Sequence, residues 1–332
     1  MERLNATQRY FIEEHIEDFR DGLIPRRELV RRVTIIAGST ALAATVLAAC
    51  DLSPRQSAAT SSPASSPSAS ASAQPFATPP AQPTSNGITV QENDPRIRVL
   101  PPNVATVKGA DGATLISYTV RPIAQGHFGS VLVVHENRGL TEHIKDVVRR
   151  VATAGFVGLG IDLLSRAGGA DTLKDAAAYQ AELAKRSTAD MVADVQAALA
   201  FLKQRSEMAN GSLGVVGFCF GGGMVWSAVA AGADLKAAVP YYGPQPANYT
   251  ELAKTKTAVF AVYAEQDTRI TGTAPQMEEQ LKKSGTPYQI TVYPGVNHAF
   301  HNDTNAAGDR YNPAQAQKAW VSTIEWFRRY LA

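Results

Sequence analysis

From residue 105 to the C-terminus, short apolar runs alternate with longer stretches in which apolar positions recur every three or four residues. Eight runs read as strands: 105–108, 114–120, 130–135, 156–161, 213–217, 237–242, 258–263 and 288–293. The third (SVLVVH) and seventh (AVFAVY) are almost continuously apolar, as parallel strands covered on both faces must be. Helical spacing fills 141–154, 190–204 and 275–284, and a last amphipathic helix is predicted over 313–331. Strand–helix alternation after an initial hairpin predicts an α/β fold: a mostly parallel, eight-stranded, doubly wound sheet with flanking helices.

The pattern ahead of that region differs twice. Residues 51–86 are almost entirely Ser, Ala, Pro, Thr and Gln. So few apolar side chains cannot offset the entropy of ordering, and the segment reads as a disordered tether. Before it, residues 1–24 read as a short amphipathic helix, followed by Arg26, Arg27, Arg31 and Arg32 and then an uncharged run over 33–49. Basic residues, an apolar stretch and small residues, in that order, make an export signal. PRRELVRR resembles a twin-arginine signal, although Glu28 and Val30 depart from its usual hydrophobic pattern. LAAC, ending at Cys50, resembles a bacterial lipobox. The expected organisation is therefore an export signal over 1–50, a tether over 51–86 and one catalytic-size domain over 87–332. Lipidation of Cys50, or an uncleaved anchor, would hold the domain at the outer face of the cytoplasmic membrane.

Composition narrows the partners. The chain has 332 residues, 45% hydrophobic, and a formal net charge of +2, with no long basic stripe in its body. Nucleic acid is not an expected partner. The two cysteines, Cys50 and Cys219, are expected to have separate roles and no disulfide.

Cys219 stands in GFCFGG, directly after the fifth predicted strand and at the opening of a helical stretch. That is the strand–turn–helix context of a nucleophile elbow, G-x-S-x-G, with cysteine in place of serine. Glycines flank such a nucleophile because a Cβ there would clash with strand or helix. The helix N-terminus favours a thiolate, and the Phe220 amide is placed to bind an oxyanion. A nucleophile of this kind needs an acid after a later strand and a histidine after the last. Asp267, in AEQD after the seventh run, and His298, in PGVNHAF after the eighth, answer both needs. Glu265 is the alternative acid. A metal site from His298, His301 and Asp303 is the alternative use of the last loop, without a helical frame to support it. His127, His135 and His143 read as structural. The turn after the third strand, HENRG, offers the Asn137 amide as a second oxyanion donor, and leaves Glu136 as a buried carboxylate that needs a partner such as Arg138 or another arginine.

HENRG at 135–139, GFCFGG at 217–222, the aspartate of AEQD and YPGVNHAFHND before a final amphipathic helix together resemble the dienelactone hydrolase (carboxymethylenebutenolidase) family over 88–332. The resemblance implies an α/β-hydrolase fold, a Cys219–Asp267–His298 triad, hydrolysis of a small ester or lactone through a thioester, and no metal or organic cofactor. It also implies that Glu136 contacts the resting thiol and is displaced by substrate, which would slow oxidation of an exported cysteine. One position departs. Family enzymes that act on dienelactone grip the substrate carboxylate with arginines, one of them four residues after the histidine, where this chain has Asn302; Arg166 or Arg138 is the candidate replacement. The competing reading is a surface-tethered binding domain that kept the fold without the activity.

Overall fold

The computed structural model describes residues 4–50, 52–53, 89–102, 105–205, 209–304 and 310–331. The tether expected over 51–86 thus lies almost wholly outside the described residues.

The N-terminal segment forms three helices, α1 (Ala6–Arg20), α2 (Arg26–Ala37) and α3 (Thr40–Ala48). A capping box starts α1: the Asn5 side chain accepts from the Gln8 amide at 2.8 Å, and the Gln8 side chain accepts from the Asn5 amide at 3.0 Å. The apolar run over 33–49 does not continue as one helix. Gly38 adopts the left-handed conformation at φ 71°, closing α2, and Ser39 caps a new helix. Among the described residues no helix is long and apolar enough to cross a membrane.

The body begins with β1 (Ile97–Leu100), a small hairpin of β2 (Val107–Lys108) and β3 (Thr114–Leu115), and β4 (Ser117–Pro122). Then follow β5 (Phe128–Val134), α4 (Glu142–Thr153), β6 (Val157–Ile161), the one-turn α5 (Gly169–Thr172), α6 (Ala176–Leu183) and α7 (Thr188–Lys203). The second half runs β7 (Ala209–Phe218), α8 (Phe220–Ala230), β8 (Ala237–Tyr241), β9 (Ala258–Ala264), the one-turn α9 (Thr268–Thr271), α10 (Ala274–Ser284), β10 (Tyr288–Tyr293) and α11 (Pro313–Leu331).

Eight strands form one sheet in the order β1-β4-β6-β5-β7-β8-β9-β10. Pairs from β6 to β10 are parallel, and β1 and β4 join antiparallel at one edge. The α/β-hydrolase architecture expected from the sequence is therefore present, with a change of membership. The run at 105–108 pairs only with β3, outside the main sheet, and β1 takes the eighth place.

Chain direction across the sheet reverses at β5. The chain steps from β5 to β6 on one side, then crosses back to β7 on the other, so that β5 and β7 lie side by side with Val134 opposite Gly217. In open α/β sheets the crevice at the carboxyl ends of such strands is where ligands bind. Here that register sets the turn after β5, with Glu136 and Asn137, beside the turn after β7, with Cys219. Every residue from Val131 to Val134 in β5 and from Val259 to Ala264 in β9 is buried, so both strands are anchored by apolar contact on two faces.

Candidate active site

Cys219 joins β7 to α8 at φ 56° and ψ −123°, a conformation that costs a non-glycine residue of order 1–3 kcal/mol. Its neighbours hold it there. A Cβ on Gly217 would stand far inside contact distance of the Gly221 carbonyl and 2.9 Å from Val225; one on Gly221 would meet the backbone carbonyls of Val134 and His135. The Cys219 amide donates to the Tyr241 carbonyl at 3.1 Å, and its own carbonyl accepts from the Gly223 amide at 3.2 Å. Phe220 is the first residue of α8, where helix geometry leaves amides without an intrahelical partner.

Asp267 is buried at the head of α9 and accepts from the Ile270 amide at 3.4 Å. Its other oxygen lies 2.6 Å from His298 Nδ1. Burial opposes ionisation, but His298 and then Arg269 hold the carboxyl below its ordinary range. Glu265 points elsewhere: it is exposed and accepts from the Gly295 amide at 2.8 Å. Asp267 is the acid that the fold brings to His298.

The loop histidines separate as their surroundings require. His301 is buried and stacked on Phe218 with ring centroids 5.0 Å apart, and burial, Arg150 and His143 keep it neutral, well below its ordinary pKa. Asp303 turns away from His298 to His143 Nδ1 at 2.9 Å and to Arg150 at 3.1 Å. The alternative metal set of His298, His301 and Asp303 is therefore not assembled. Among the described residues, the groups that could together reach a metal ion are Glu14, Cys219 and His298. His135 is structural: its Nδ1 donates to the Glu136 carbonyl and its Nε2 accepts from the Leu163 amide.

Glu136 is buried, and its carboxylate accepts from the Asn302 amide at 2.6 Å. Arg138 is exposed, and the partner that the described residues give Glu136 is Asn302. Asn302, the position where the resemblance to dienelactone-acting enzymes leads one to expect an arginine, is thus engaged with Glu136. The thiol's own partners come from an unexpected element. Glu14 of α1 accepts from Cys219 Sγ at 3.4 Å, and the Tyr10 hydroxyl lies 3.3 Å from the same sulfur. Glu14 also stands 3.2 Å from His298 Nε2, accepts from Asn137 Nδ2 at 3.1 Å and pairs with Arg269 at 3.2 Å.

The electrostatics follow from that carboxylate. Burial and then Glu14 push the Cys219 thiol up to about 11. Burial opposes a charge on His298, but Glu14 and Asp267 together carry it well above its ordinary value. The site is therefore a neutral thiol beside an imidazolium pinned between two carboxylates. The thiolate favoured by the helix N-terminus alone is not the species this environment supports.

Three contributors escape a reading of the sequence: Tyr10, Glu14 and Arg269. Arg166, a candidate grip for a substrate carboxylate, is spent on ion pairs with Asp111 and Asp194, and Arg269 is the arginine that reaches the thiol's surroundings. One signal of the N-terminal contribution was available. Six acids against three arginines in residues 1–24 give that stretch a surplus of negative charge, which arginines elsewhere in the chain can meet.

The dienelactone hydrolase family model matches residues 115–331, which takes in seven of the sheet's eight strands, β1 excepted, and all three candidate catalytic residues. The chain belongs to the dienelactone hydrolase family. It is 34% identical over 225 residues to a protein of Methylorubrum extorquens assigned as a carboxymethylenebutenolidase, covering 64% of this chain and 76% of that one. It is 29% identical over 237 residues to a Bradyrhizobium protein assigned as a 2-oxo-3-(5-oxofuran-2-ylidene)propanoate lactonase, covering 67% and 92%. Among solved structures, a dienelactone hydrolase homologue from Klebsiella pneumoniae superposes with a TM-score of 0.61 at 27% identity, over 70% of this chain and 99% of that one. This dienelactone hydrolase family member is a hydrolase acting on esters or lactones. None of these alignments covers the whole of this chain, and the family match begins well after α1.

Proposed function

We propose that this hydrolase works through Cys219 as nucleophile, His298 as base and Asp267 as the group that orients the base. The observation that carries the reading is the chain of contacts at one end of the sheet. A strained cysteine stands at a helix N-terminus, a ring nitrogen of His298 lies within 4.8 Å of its sulfur, and the opposite nitrogen lies 2.6 Å from a buried aspartate. Asp267 fixes the tautomer, so that the nitrogen facing Cys219 can take its proton. The thiolate attacks the carbonyl carbon of an ester or lactone, and the alcohol leaves with the proton held by His298. Water, deprotonated by His298, then cleaves the thioester and releases the acid. The amides of Phe220 and Asn137 are the proposed oxyanion donors, each contributing about 3 kcal/mol to the barrier reduction.

The substrate reading follows from Arg269. The carboxylate now beside the sulfur, that of Glu14, is held by Arg269 and the Asn137 side chain. The same two groups would hold an acid group on a substrate, and the lactone named for the Bradyrhizobium relative carries such a group. A carboxylate-bearing lactone or ester is therefore the proposed substrate class. Glu136, held by Asn302, is left the role of a fixed negative charge near the thiol, one of the groups that raise its pKa.

Export completes the reading. PRRELVRR ahead of an uncharged run, and LAAC ending at Cys50, support transfer out of the cytoplasm and lipidation of Cys50 at the outer face of the cytoplasmic membrane. Cys50 and Cys219 are both free, so neither is diverted into a disulfide.

The nucleophile is tested by intact mass after brief mixing with an activated short ester. A covalent acyl adduct that maps to Cys219, and turnover that disappears in Cys219→Ala, is the expected result. Turnover that persists in Cys219→Ala removes the assignment.

A further inference from the structure

The geometry points to an autoinhibited enzyme: α1 is an intramolecular inhibitor that occupies the substrate's place on Cys219 and keeps the thiol closed until the N-terminal segment leaves. The inference rests on the proposed role of Cys219 and adds its regulation.

Four observations carry it. First, Tyr10 and Glu14, one helical turn apart on α1, both touch the sulfur, and Glu14 also reaches His298. A substrate carbonyl must approach the sulfur through the space these two side chains fill. Second, the contact is built along the length of the helix. Glu13, Glu14 and Glu17 surround Arg269, whose guanidinium lies 5.1 Å over the Tyr10 ring. Asp18 and Asp21 pair with Arg310 at 3.0 and 3.1 Å, and Asn297 donates to Asp21. At the other end, Asn5 donates to the Ala184 carbonyl, and between the two ends His15 contacts Gln180 at 2.6 Å. Five acids of the segment, Glu13, Glu14, Glu17, Asp18 and Asp21, thus face two arginines of the body, Arg269 and Arg310. Third, the helix is seated on apolar surface: Phe11 is buried, with its ring 5.5 Å from that of Phe220, beside the nucleophile. Fourth, a cavity of about 570 Å³ opens between α1, α7, α8 and the loop at 244–248. Phe220, Met224 and Tyr10 are among its walls, and Tyr10 stands between this space and the sulfur. Withdrawal of α1 would join the cavity to the nucleophile.

The chemistry of the contact adds a second lock to the steric one. A carboxylate placed between thiol and imidazole keeps the proton on sulfur and keeps the imidazole charged, so the base has nothing to accept with. The proposed cleavage ahead of Cys50 would sever α1, α2 and α3 together, and would expose the site only where the exported domain meets its substrate.

The test uses the full-length chain and two variants that alter only α1 and its C-cap residue Asp21. Glu14→Arg opposes Arg269; the double variant Asp18→Lys/Asp21→Lys opposes Arg310 and touches nothing at the sulfur. Two rates are read: alkylation of Cys219 by iodoacetamide, located by peptide mass, and turnover of an activated short ester. Both variants are expected to alkylate at least about tenfold faster than the wild-type chain, since the rate follows the fraction of open molecules, and to gain turnover in proportion. Equal alkylation rates in all three chains would overturn the inhibitor. Faster alkylation without any gain in turnover would keep α1 as the cover of the thiol and instead remove Cys219 as the nucleophile. Turnover that depends on Cys219 and is the same in all three chains would do the reverse.

Discussion

At the scale of single residues, the site is an argument about one carboxylate. Glu14 enters a pocket that already contains Asp267, and the imidazole between them is driven toward its charged form while the thiol is driven toward its neutral one. Replacing Glu14 by Gln keeps the shape and removes the charge. The pH profile of Cys219 alkylation in the full-length chain should turn over near 11, and in Glu14→Gln it should shift to lower pH. An unchanged profile would show that burial alone sets the thiol. Asp267 has the opposite purpose, since it holds the ring in the tautomer that can act as base. Asp267→Asn should lower kcat by about 10³–10⁴-fold, with the far-ultraviolet circular dichroism unchanged. A loss under tenfold would mean that another group orients His298.

At the scale of elements, the turn between β7 and α8 is where local sequence and tertiary packing agree most closely. Gly217 has no room for a methyl group because the first turn of α8 folds directly over the strand end. Gly217→Ala should therefore cost about 2–3 kcal/mol or more and lower Tm by about 5–10 °C, with loss of turnover at temperatures where the variant remains folded. A thermal scan within a degree or two of wild type would contradict the packing. The strands and helices of the body were legible for the same reason: each carries a period that matches its burial, and the order nucleophile, acid, histidine follows from where β7, β9 and β10 end. β1 was not legible. RIRV alternates polar and apolar positions, but over only four residues in a polar setting, and its place comes from antiparallel pairing to β4, with Val99 opposite Val120. The hairpin of β2 and β3 was misplaced because an apolar pair such as Val107 and Leu115 does not say which sheet it joins. The docking of α1 was the least legible feature. Glu14 and Arg269 are 255 residues apart, and no local period records a charge complementarity across that distance.

At the scale of the whole molecule, the closed state is a binding equilibrium within one chain, and it must respond to pH through the groups it perturbs. Cys219 rises from about 9 to about 11 in the closed molecule. A thiol that holds its proton more tightly when α1 is docked contributes to docking fully below about pH 9, and the contribution is lost as pH climbs toward 11. His298 adds in the same sense, because its charge, raised by Glu14 and Asp267, favours the closed state until it titrates above its ordinary value. Two pH units on the thiol amount to at most about a 100-fold change in the ratio of closed to open molecules, with the share that comes from the body's own burial subtracted. Hydrogen exchange of the α1 amides should therefore show protection at pH 7 to 8 that falls well before the body unfolds as pH passes 10, after correction for the intrinsic rate. Asp18→Lys/Asp21→Lys should show little protection at either pH. If α1 keeps its full protection at pH 10.5 while Cys219 ionises, the thiol is raised by its own burial in the body, and the N-terminal helix is held by its contacts away from the sulfur, the arginine pairs and the packing of Phe11.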